Sequence, residues 1–169
     1  MKKRSILFAP WRHTYIKRAV KAEEEEGDCA FCDALKVGQK FESLIVYNGK
    51  LATVILNKFP YNNGHTMVIP KRHTAEFEKL SVEEFEELHS LLRKSLEAIK
   101  AIYQPQGVNI GMNLGRSGGA GIVDHLHYHL VPRWSGDTNF MPIVAETKVI
   151  SESLDETYKK MAAWFAENL

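Results

Sequence analysis

The hydrophobic positions of this chain predict two helices. The first begins at the capping box Ser81-Val82-Glu83-Glu84 and extends toward Pro105, because apolar residues recur every three or four positions along it. Those residues are Phe85, Leu88, Leu92, Leu96, Ile99 and Tyr103. The second helix is predicted to start after Ser153, with Glu156 as its capping partner, and to include Trp164 and Phe165.

Shorter apolar stretches predict a sheet of about five strands. A hairpin is expected from residues 41–47 and 51–56, since Asn48-Gly49 between them is a strong turn signal. Two more strands are expected at 66–69, closed by Pro70, and at 107–114. The last is expected at 124–132, where Pro132 would end it for lack of an N–H group. The order of elements predicts an α+β fold with a mainly antiparallel sheet, one long helix and a C-terminal helix.

Length, net charge and the lengths of the apolar segments indicate which kind of protein this is. The 169 residues, 44% of them hydrophobic, are enough for one domain with an ordinary core. A formal net charge of +1 gives no general attraction to nucleic acid or anionic membrane. The apolar run at 6–9 is too short for a signal peptide, and no span of about 18 apolar residues occurs. We therefore expect a cytoplasmic protein without nucleic-acid or membrane partners.

Three of the seven histidines lie within five residues, at His125, His127 and His129. Side chains two positions apart on a strand share a face, so this spacing predicts a row of imidazoles opposite an apolar face. Such a row suits a metal cage or a nucleophile with supporting groups, and spacing alone does not separate the two. Three purely structural histidines are the remaining interpretation.

A glycine-rich segment directly before the histidines favours the nucleophile. Glycines let backbone N–H groups approach a ligand closely, as in phosphate-binding loops, and this segment has them at Gly115, Gly118, Gly119 and Gly121. It is neither a Walker loop nor a dinucleotide fingerprint, and a simple hairpin turn is the alternative. Beside three histidines, however, it indicates a phosphate next to an imidazole.

Cys29 and Cys32 form a Cys-x-x-Cys pair. In a chain without a secretory signal this spacing indicates a metal site or redox chemistry more than a structural disulfide. Inert thiols are the third interpretation.

The histidine segment resembles the signature of the histidine triad (HIT) family, His-x-His-x-His followed by apolar residues. The similarity extends upstream to Asn57-x-x-Pro60-x-x-x-Gly64-His65 and downstream to Pro132-Arg133-Trp134-x-Gly136-Asp137. It looks closest to the diadenosine tetraphosphate phosphorylases of the Fhit-like branch. The resemblance implies a HIT domain at 29–140, between an N-terminal arm at 1–28 and a C-terminal extension at 141–169.

The resemblance further implies an enzyme that cleaves dinucleoside polyphosphates, of the diadenosine tetraphosphate type, at the α-phosphate. His127 would form a covalent nucleotidyl-histidine, which phosphate or water then attacks, with phosphorolysis expected from the branch. The implied catalytic set is His127, His129, His125, Asn113 and His65. The implied substrate contacts are Asn57 with the ribose, Leu56 and Phe59 near the base, and the backbone of Gly119, Ala120, Gly121 and Ile122 with the transition state.

The same resemblance implies a structural zinc ion and a homodimer. The zinc ligands would be Cys29, Cys32, His73 and His125, a closed Cys₂His₂ set. The dimer would use the long helix, residues 81–103, and the adjoining strand. Three other functions are kept as alternatives: a nucleotide-binding sensor or adaptor with little turnover, a simple hydrolase of dinucleoside polyphosphates, and a hydrolase that works through a metal held by the three histidines.

Overall fold

The structure, a computed structural model, describes residues 29–145 and 149–169. In these ranges five strands form one antiparallel sheet in the order β1-β2-β3-β5-β4. The strands are β1 (Ile45–Asn48), β2 (Ala52–Leu56), β3 (Thr66–Pro70), β4 (Gly107–Met112) and β5 (Tyr128–Arg133). The predicted α+β fold is confirmed. The arm predicted at 1–28 lies outside the described residues.

Four α-helices occur in the described ranges, and they include both helices predicted from the sequence. They are α1 (Ala30–Val37), α2 (Val82–Tyr103), α3 (Met141–Val144) and α4 (Leu154–Asn168). The capping box is formed, since the Ser81 hydroxyl accepts from the Glu84 N–H and the Glu84 carboxylate accepts from the Ser81 N–H. Ser153 caps α4 by accepting from the N–H of Glu156. None of these helices is long and apolar enough to cross a bilayer.

Helix α2 covers β2, β3 and β5 with a face that differs slightly from the predicted one. Phe85 is 42% exposed, whereas Leu91, which the predicted stripe omitted, is 5% exposed. Phe85 packs instead against the rings of Phe77 and His89 at the edge of the helix. The main core lies between this helix, α4 and the sheet, and its largest fully buried side chains include Ile45, Leu56, Ile69, Leu88, Ile99, Leu130, Met161 and Phe165.

The predicted hairpin is confirmed, but its first strand and its turn differ from the prediction. Residues 41–43 form a short 3₁₀ turn, and Leu44 has a φ of 61°, so β1 starts only at Ile45. Asn48 pairs with Thr53, which leaves a longer connection than the two-residue turn that Asn-Gly favours.

Glu87 of α2 explains the longer connection. Its carboxylate accepts hydrogen bonds from the backbone N–H groups of Lys50, Leu51 and Ala52 at 2.6, 2.9 and 3.4 Å. A Cβ atom on Gly49 would lie 2.3 Å from Glu87 Oε1. Glycine at position 49 therefore allows the turn to lie close to the Glu87 side chain of the helix.

The strand of the histidine segment was predicted wrongly at both ends. His125 and His127 precede β5, which begins at Tyr128, and Pro132 lies inside the strand opposite Val108. A proline is tolerated there because β3 pairs only with residues 128–130, so the β3 side of the strand is open at Pro132. The first two histidines consequently lie on the segment that leads into the sheet.

We expect Glu87→Ala to lower the free energy of unfolding by about 1–3 kcal/mol, because three backbone donors lose their charged acceptor. Urea unfolding followed by circular dichroism measures the change. Glu86→Ala is the matched control, since Glu86 is exposed on the same helix. Equal stability of the two variants would contradict a role for Glu87 in holding the turn.

Candidate active site and metal centre

A cavity of about 670 Å³ opens beside the histidine segment. Its walls come from α1, the end of β2, the loop after β2 and the glycine-rich segment. The residues predicted from the sequence that line it are Leu56, Asn57, Phe59, Gly119, Gly121, Ile122, His127 and His129. The structure thus brings most of the predicted substrate contacts to one cavity.

His127 has its tautomer set by the backbone. Its Nδ1 lies 2.9 Å from the carbonyl oxygen of His125, and a carbonyl oxygen can only accept. Nδ1 therefore carries the hydrogen, and Nε2 keeps its lone pair. The ring is buried, at 4% exposure, yet it lines the cavity. This is the state that an imidazole nucleophile requires.

His65 and His129 form a pair whose tautomers follow from a backbone donor. The N–H of Tyr61 donates to His65 Nδ1 at 3.1 Å, so His65 carries its hydrogen on Nε2. That Nε2 lies 3.0 Å from His129 Nδ1, which must accept. His129 therefore carries its hydrogen on Nε2. The site therefore has the Nε2–H donor of His129 near the Nε2 lone pair of His127, on two rings whose centroids lie 4.8 Å apart.

Burial keeps these three imidazoles neutral. Burial, together with smaller effects of His129 and His127, lowers the pKa of His65 from 6.5 to about 3. Burial and the nearby His127 lower the pKa of His129 to about 4. The pKa of His127 is also lowered by burial, although its bond to the His125 carbonyl opposes this shift. At neutral pH each ring has one donor nitrogen and one acceptor nitrogen.

The glycine-rich segment offers fewer free donors than its sequence suggests. The N–H groups of Gly119 and Ala120 donate inside the loop, to the carbonyls of Arg116 and Gly115. Gly121 and Ile122 line the cavity, and within the described residues their N–H groups make no backbone hydrogen bond of this kind.

Asn113 lies beside the cavity and not among its lining residues. Its amide donates to the carbonyl oxygen of Gly119 at 3.1 Å. Gly119 has a φ of 93°, a conformation that favours glycine, and this bond helps to hold the loop in that shape. The structure therefore gives Asn113 a contact with the loop, and through the loop with the cavity.

The four predicted metal ligands lie close together, around the imidazole ring of His125. Cys29 caps α1 and Cys32 lies in its first turn, so the two thiols share a helix face. His73 follows β3 and His125 precedes the neighbouring β5, and a bond from the Leu126 N–H to the Thr74 carbonyl joins the two loops. The four ligand atoms all lie within 4.8 Å of one another.

The spacing of these atoms fits a zinc ion. Tetrahedral bonds of about 2.3 Å to sulfur and 2.0–2.1 Å to nitrogen place the two kinds of ligand about 3.6 Å apart. The Cys29 and Cys32 sulfurs lie 3.3 and 3.7 Å from His125 Nδ1, and Cys32 Sγ lies 3.3 Å from His73 Nδ1. His125 Nε2 donates to the Pro70 carbonyl at 2.8 Å, which leaves Nδ1 as the free ligand nitrogen.

Sequence reasoning missed the wall of the cavity that α1 forms. Phe31 lies between the two cysteines in sequence, and its ring packs 5.4 Å from that of His125 and 5.2 Å from that of His127. The signal in the sequence was the Cys-x-x-Cys pair itself. If both cysteines lie beside His125, the two residues between them must also lie close to the triad. The other lining residues that were not predicted include Ala34, Ser43, Leu44, Ile55, Tyr61 and Met67.

Comparisons with known proteins agree with this geometry. The AP-4-A phosphorylase of Mycobacterium tuberculosis is 37% identical over 164 residues, which are 95% of this chain and 84% of that relative. A zinc-bound histidine triad family protein from Mycobacterium smegmatis has a similar structure, with a TM-score of 0.66, 25% identity and coverage of 83% of this chain and 95% of that one.

A hypothetical histidine triad nucleotide-binding protein from Sulfolobus tokodaii has the same TM-score of 0.66, at 26% identity over 82% of this chain and 93% of that one. The HIT domain matches residues 39–136, more than half of the sequence. This chain therefore belongs to the histidine triad (HIT) family.

Proposed function

We propose that this protein cleaves dinucleoside polyphosphates of the diadenosine tetraphosphate type at the α-phosphate, through a covalent intermediate on His127, and that inorganic phosphate is the acceptor. The observation that carries the proposal is the neutral His127 ring on the cavity, with its hydrogen held on Nδ1 by a carbonyl. The 37% identity to the AP-4-A phosphorylase of M. tuberculosis supports the substrate class and the acceptor.

In the first step, Nε2 of His127 forms a bond to the α-phosphorus while the bond from that phosphorus to the bridging oxygen breaks. With diadenosine tetraphosphate the departing group is ATP. In the second step a phosphate oxygen attacks the same phosphorus, the bond to Nε2 breaks, and ADP leaves. Covalent catalysis divides one difficult displacement into two easier ones.

The neighbouring groups suit the charge that develops on the phosphoryl oxygens. His129 offers an Nε2–H donor, held in this tautomer by His65. Gly121 and Ile122 offer backbone N–H groups at the cavity wall. Donors that are fixed before the reaction stabilise developing charge without reorganisation. Asn113 contributes by holding the loop at Gly119.

The apolar side chains of the cavity suit a nucleoside. They include Phe31, Leu44, Leu56 and Met67, and Phe59 is 77% exposed at the same cavity. Apolar and aromatic side chains of this kind pack against the faces of a base. Asn57, which follows β2 and lines the cavity, is proposed to bind the ribose.

The cluster of Cys29, Cys32, His73 and His125 is proposed to hold a structural zinc ion. The donor set is closed, and the spacing of its atoms fits tetrahedral coordination. Bound zinc would supply a fixed joint between α1 and the segment that enters β5. The nucleophile does not belong to this set, so the ion would stabilise the site and leave the chemistry to His127.

A homodimer through α2 and β4 is also proposed. Strand β4 is at the edge of the sheet beside β5, and α2 packs mainly against β2, β3 and β5. Ile110 of β4 is 44% exposed, and Phe85 of α2 is 42% exposed. An exposed edge strand with apolar side chains is a surface that proteins normally cover.

We expect His127→Asn to reduce turnover of diadenosine tetraphosphate by at least about a thousandfold, because the attacking lone pair is lost. Nucleotide affinity should change only a few-fold, since the cavity keeps its shape. Steady-state kinetics and calorimetric titration measure the two effects. His89→Asn is the control, a histidine on α2 outside the cavity. Full activity in His127→Asn would overturn the mechanism.

The acceptor is decided by the products formed with and without inorganic phosphate. We expect ADP and ATP from diadenosine tetraphosphate, resolved by chromatography, and only when phosphate is present. AMP and ATP in the absence of phosphate would show a hydrolase. No product from any dinucleoside polyphosphate would favour a nucleotide sensor instead.

We expect about one zinc ion per chain in protein purified without chelator. Cys32→Ser and His73→Asn should lower the zinc content and the unfolding temperature, because each removes a ligand of the closed set. Elemental analysis and calorimetry test this, with His89→Asn as a control that should keep the zinc content, because His89 lies outside the ligand set. Substoichiometric zinc in the unaltered protein would argue against the site.

A further inference from the structure

The turn that carries His65 is attached to the sheet by two side chains, Asn62 and Asp137. We propose that this Asn62–Asp137 pair is a positioning element of the active site, because it holds the N–H of Tyr61 on His65 and thereby determines which nitrogen of His129 carries the hydrogen. Its effect on turnover rests on the proposed function. Its effect on the tautomer of His129 is a property of the protein alone.

Asn62 is held by both hydrogens of its amide. Nδ2 donates to the carbonyl oxygen of Pro132 at 2.9 Å and to Asp137 Oδ2 at 2.8 Å. The residue is 7% exposed, so water does not easily replace these bonds. A loop residue bound in this way is fixed relative to β5.

Asp137 is itself anchored to the sheet. Its carboxylate accepts from Arg133 Nε at 2.6 Å and from the N–H of Trp134 at 3.2 Å. Arg133 is the last residue of β5, and its Nη1 donates to Asn109 of β4 at 3.0 Å. The Arg133 guanidinium holds the pKa of Asp137 well below its usual range, so the carboxylate remains an acceptor at all working pH values.

The position of Asn62 is transmitted to His65 over four residues. The carbonyl oxygen of Asn62 accepts from the backbone N–H of His65 at 3.2 Å, which closes a turn with Gly64 at a φ of 72°. The preceding residue, Tyr61, donates its N–H to His65 Nδ1. Fixing Asn62 therefore fixes both the backbone of His65 and the donor that its ring faces.

Loss of this arrangement would change what the cavity offers to a phosphate. Without the Tyr61 donor, His65 is free to carry its hydrogen on Nδ1, and His129 is then free to place its own hydrogen on Nδ1. His129 would present a lone pair to an anionic phosphoryl oxygen where a donor is required. Turnover should fall, whereas contacts with base and ribose, which lie elsewhere in the cavity, should persist.

The test compares Asn62→Ala with Asn63→Ala. Asn63 is the matched control, because it belongs to the same turn but donates to Ser151 Oγ and not to Asp137. The tautomers of His65 and His129 are read from the ¹⁵N shifts of their ring nitrogens at neutral pH. Steady-state kinetics with diadenosine tetraphosphate then separate kcat from KM.

In the unaltered protein and in Asn63→Ala, His129 should carry its hydrogen on Nε2. In Asn62→Ala the shifts should move toward a mixture of tautomers, and kcat should fall about tenfold or more with KM changed less than about twofold. Unchanged His129 shifts in Asn62→Ala, or equal losses of kcat in both variants, would overturn the proposal.

Asp137→Asn provides a second variant if Asn62→Ala does not fold. It keeps the shape of the side chain and removes the charge that pairs with Arg133 and Asn62, so the same shift of the His129 tautomer is expected, and an unchanged tautomer would count against the pair. Because the ¹⁵N spectrum requires no turnover, it also separates this inference from the proposed function. A failure of the His127→Asn prediction would leave the tautomer result intact.

Discussion

A neutral imidazole has one donor nitrogen and one acceptor nitrogen, and in this protein backbone groups decide which is which. Burial keeps His65, His127 and His129 uncharged. The carbonyl of His125 then assigns the hydrogen of His127 to Nδ1, and the N–H of Tyr61 assigns that of His65 to Nε2. Two identical side chains, at 127 and 129, thereby acquire opposite properties toward the same cavity, a lone pair and a donor. The hydrogen-bonding groups that the cavity offers to a ligand therefore depend on how the backbone is held at these two places.

The sheet explains why the backbone is available there. A residue inside a ladder uses its carbonyl and N–H groups for pairing, but His125 precedes β5, and its carbonyl is free to accept from an imidazole. Tyr61 similarly lies in the connection between β2 and β3, where its N–H has no strand partner. The candidate site thus occupies the positions where the chain enters and leaves the sheet, which is where loops on a rigid scaffold commonly carry function.

The sequence predicted the five strands and the two longest helices, but it missed α1 and was less accurate about where the elements begin and end. The capping residues Ser81 and Ser153 have local partners within three positions, so both helix starts could be recognised from short patterns. The start of β5 could not, because it depends on how far β3 extends alongside it. The length of the connection after Asn48 could not be predicted either, because it depends on Glu87, which lies in a helix more than thirty residues further along the chain.

In the candidate site, too, local patterns could be recognised from the sequence, whereas contacts between distant residues could not. Spacing brought out the three histidines and the Cys-x-x-Cys pair, and resemblance to a family supplied roles for them. Neither could show that the Gly119 and Ala120 N–H groups are used inside their own loop, or that Asn62 is bound to Asp137 across 75 positions of sequence. Those facts concern hydrogen-bond partners, which a one-dimensional pattern does not contain.

His125 contacts both the candidate metal centre and the candidate active site, but through different atoms. Its ring faces Cys29 and Cys32, while its carbonyl oxygen accepts a hydrogen bond from His127 Nδ1. Because Nε2 of the same ring is bound to the Pro70 carbonyl, the side chain is fixed at both nitrogens once Nδ1 has its ligand. A residue held in this manner has little freedom to turn its peptide group. With a metal bound, the cysteine and histidine cluster would therefore act on His127 indirectly, by keeping in place the carbonyl oxygen that sets its tautomer.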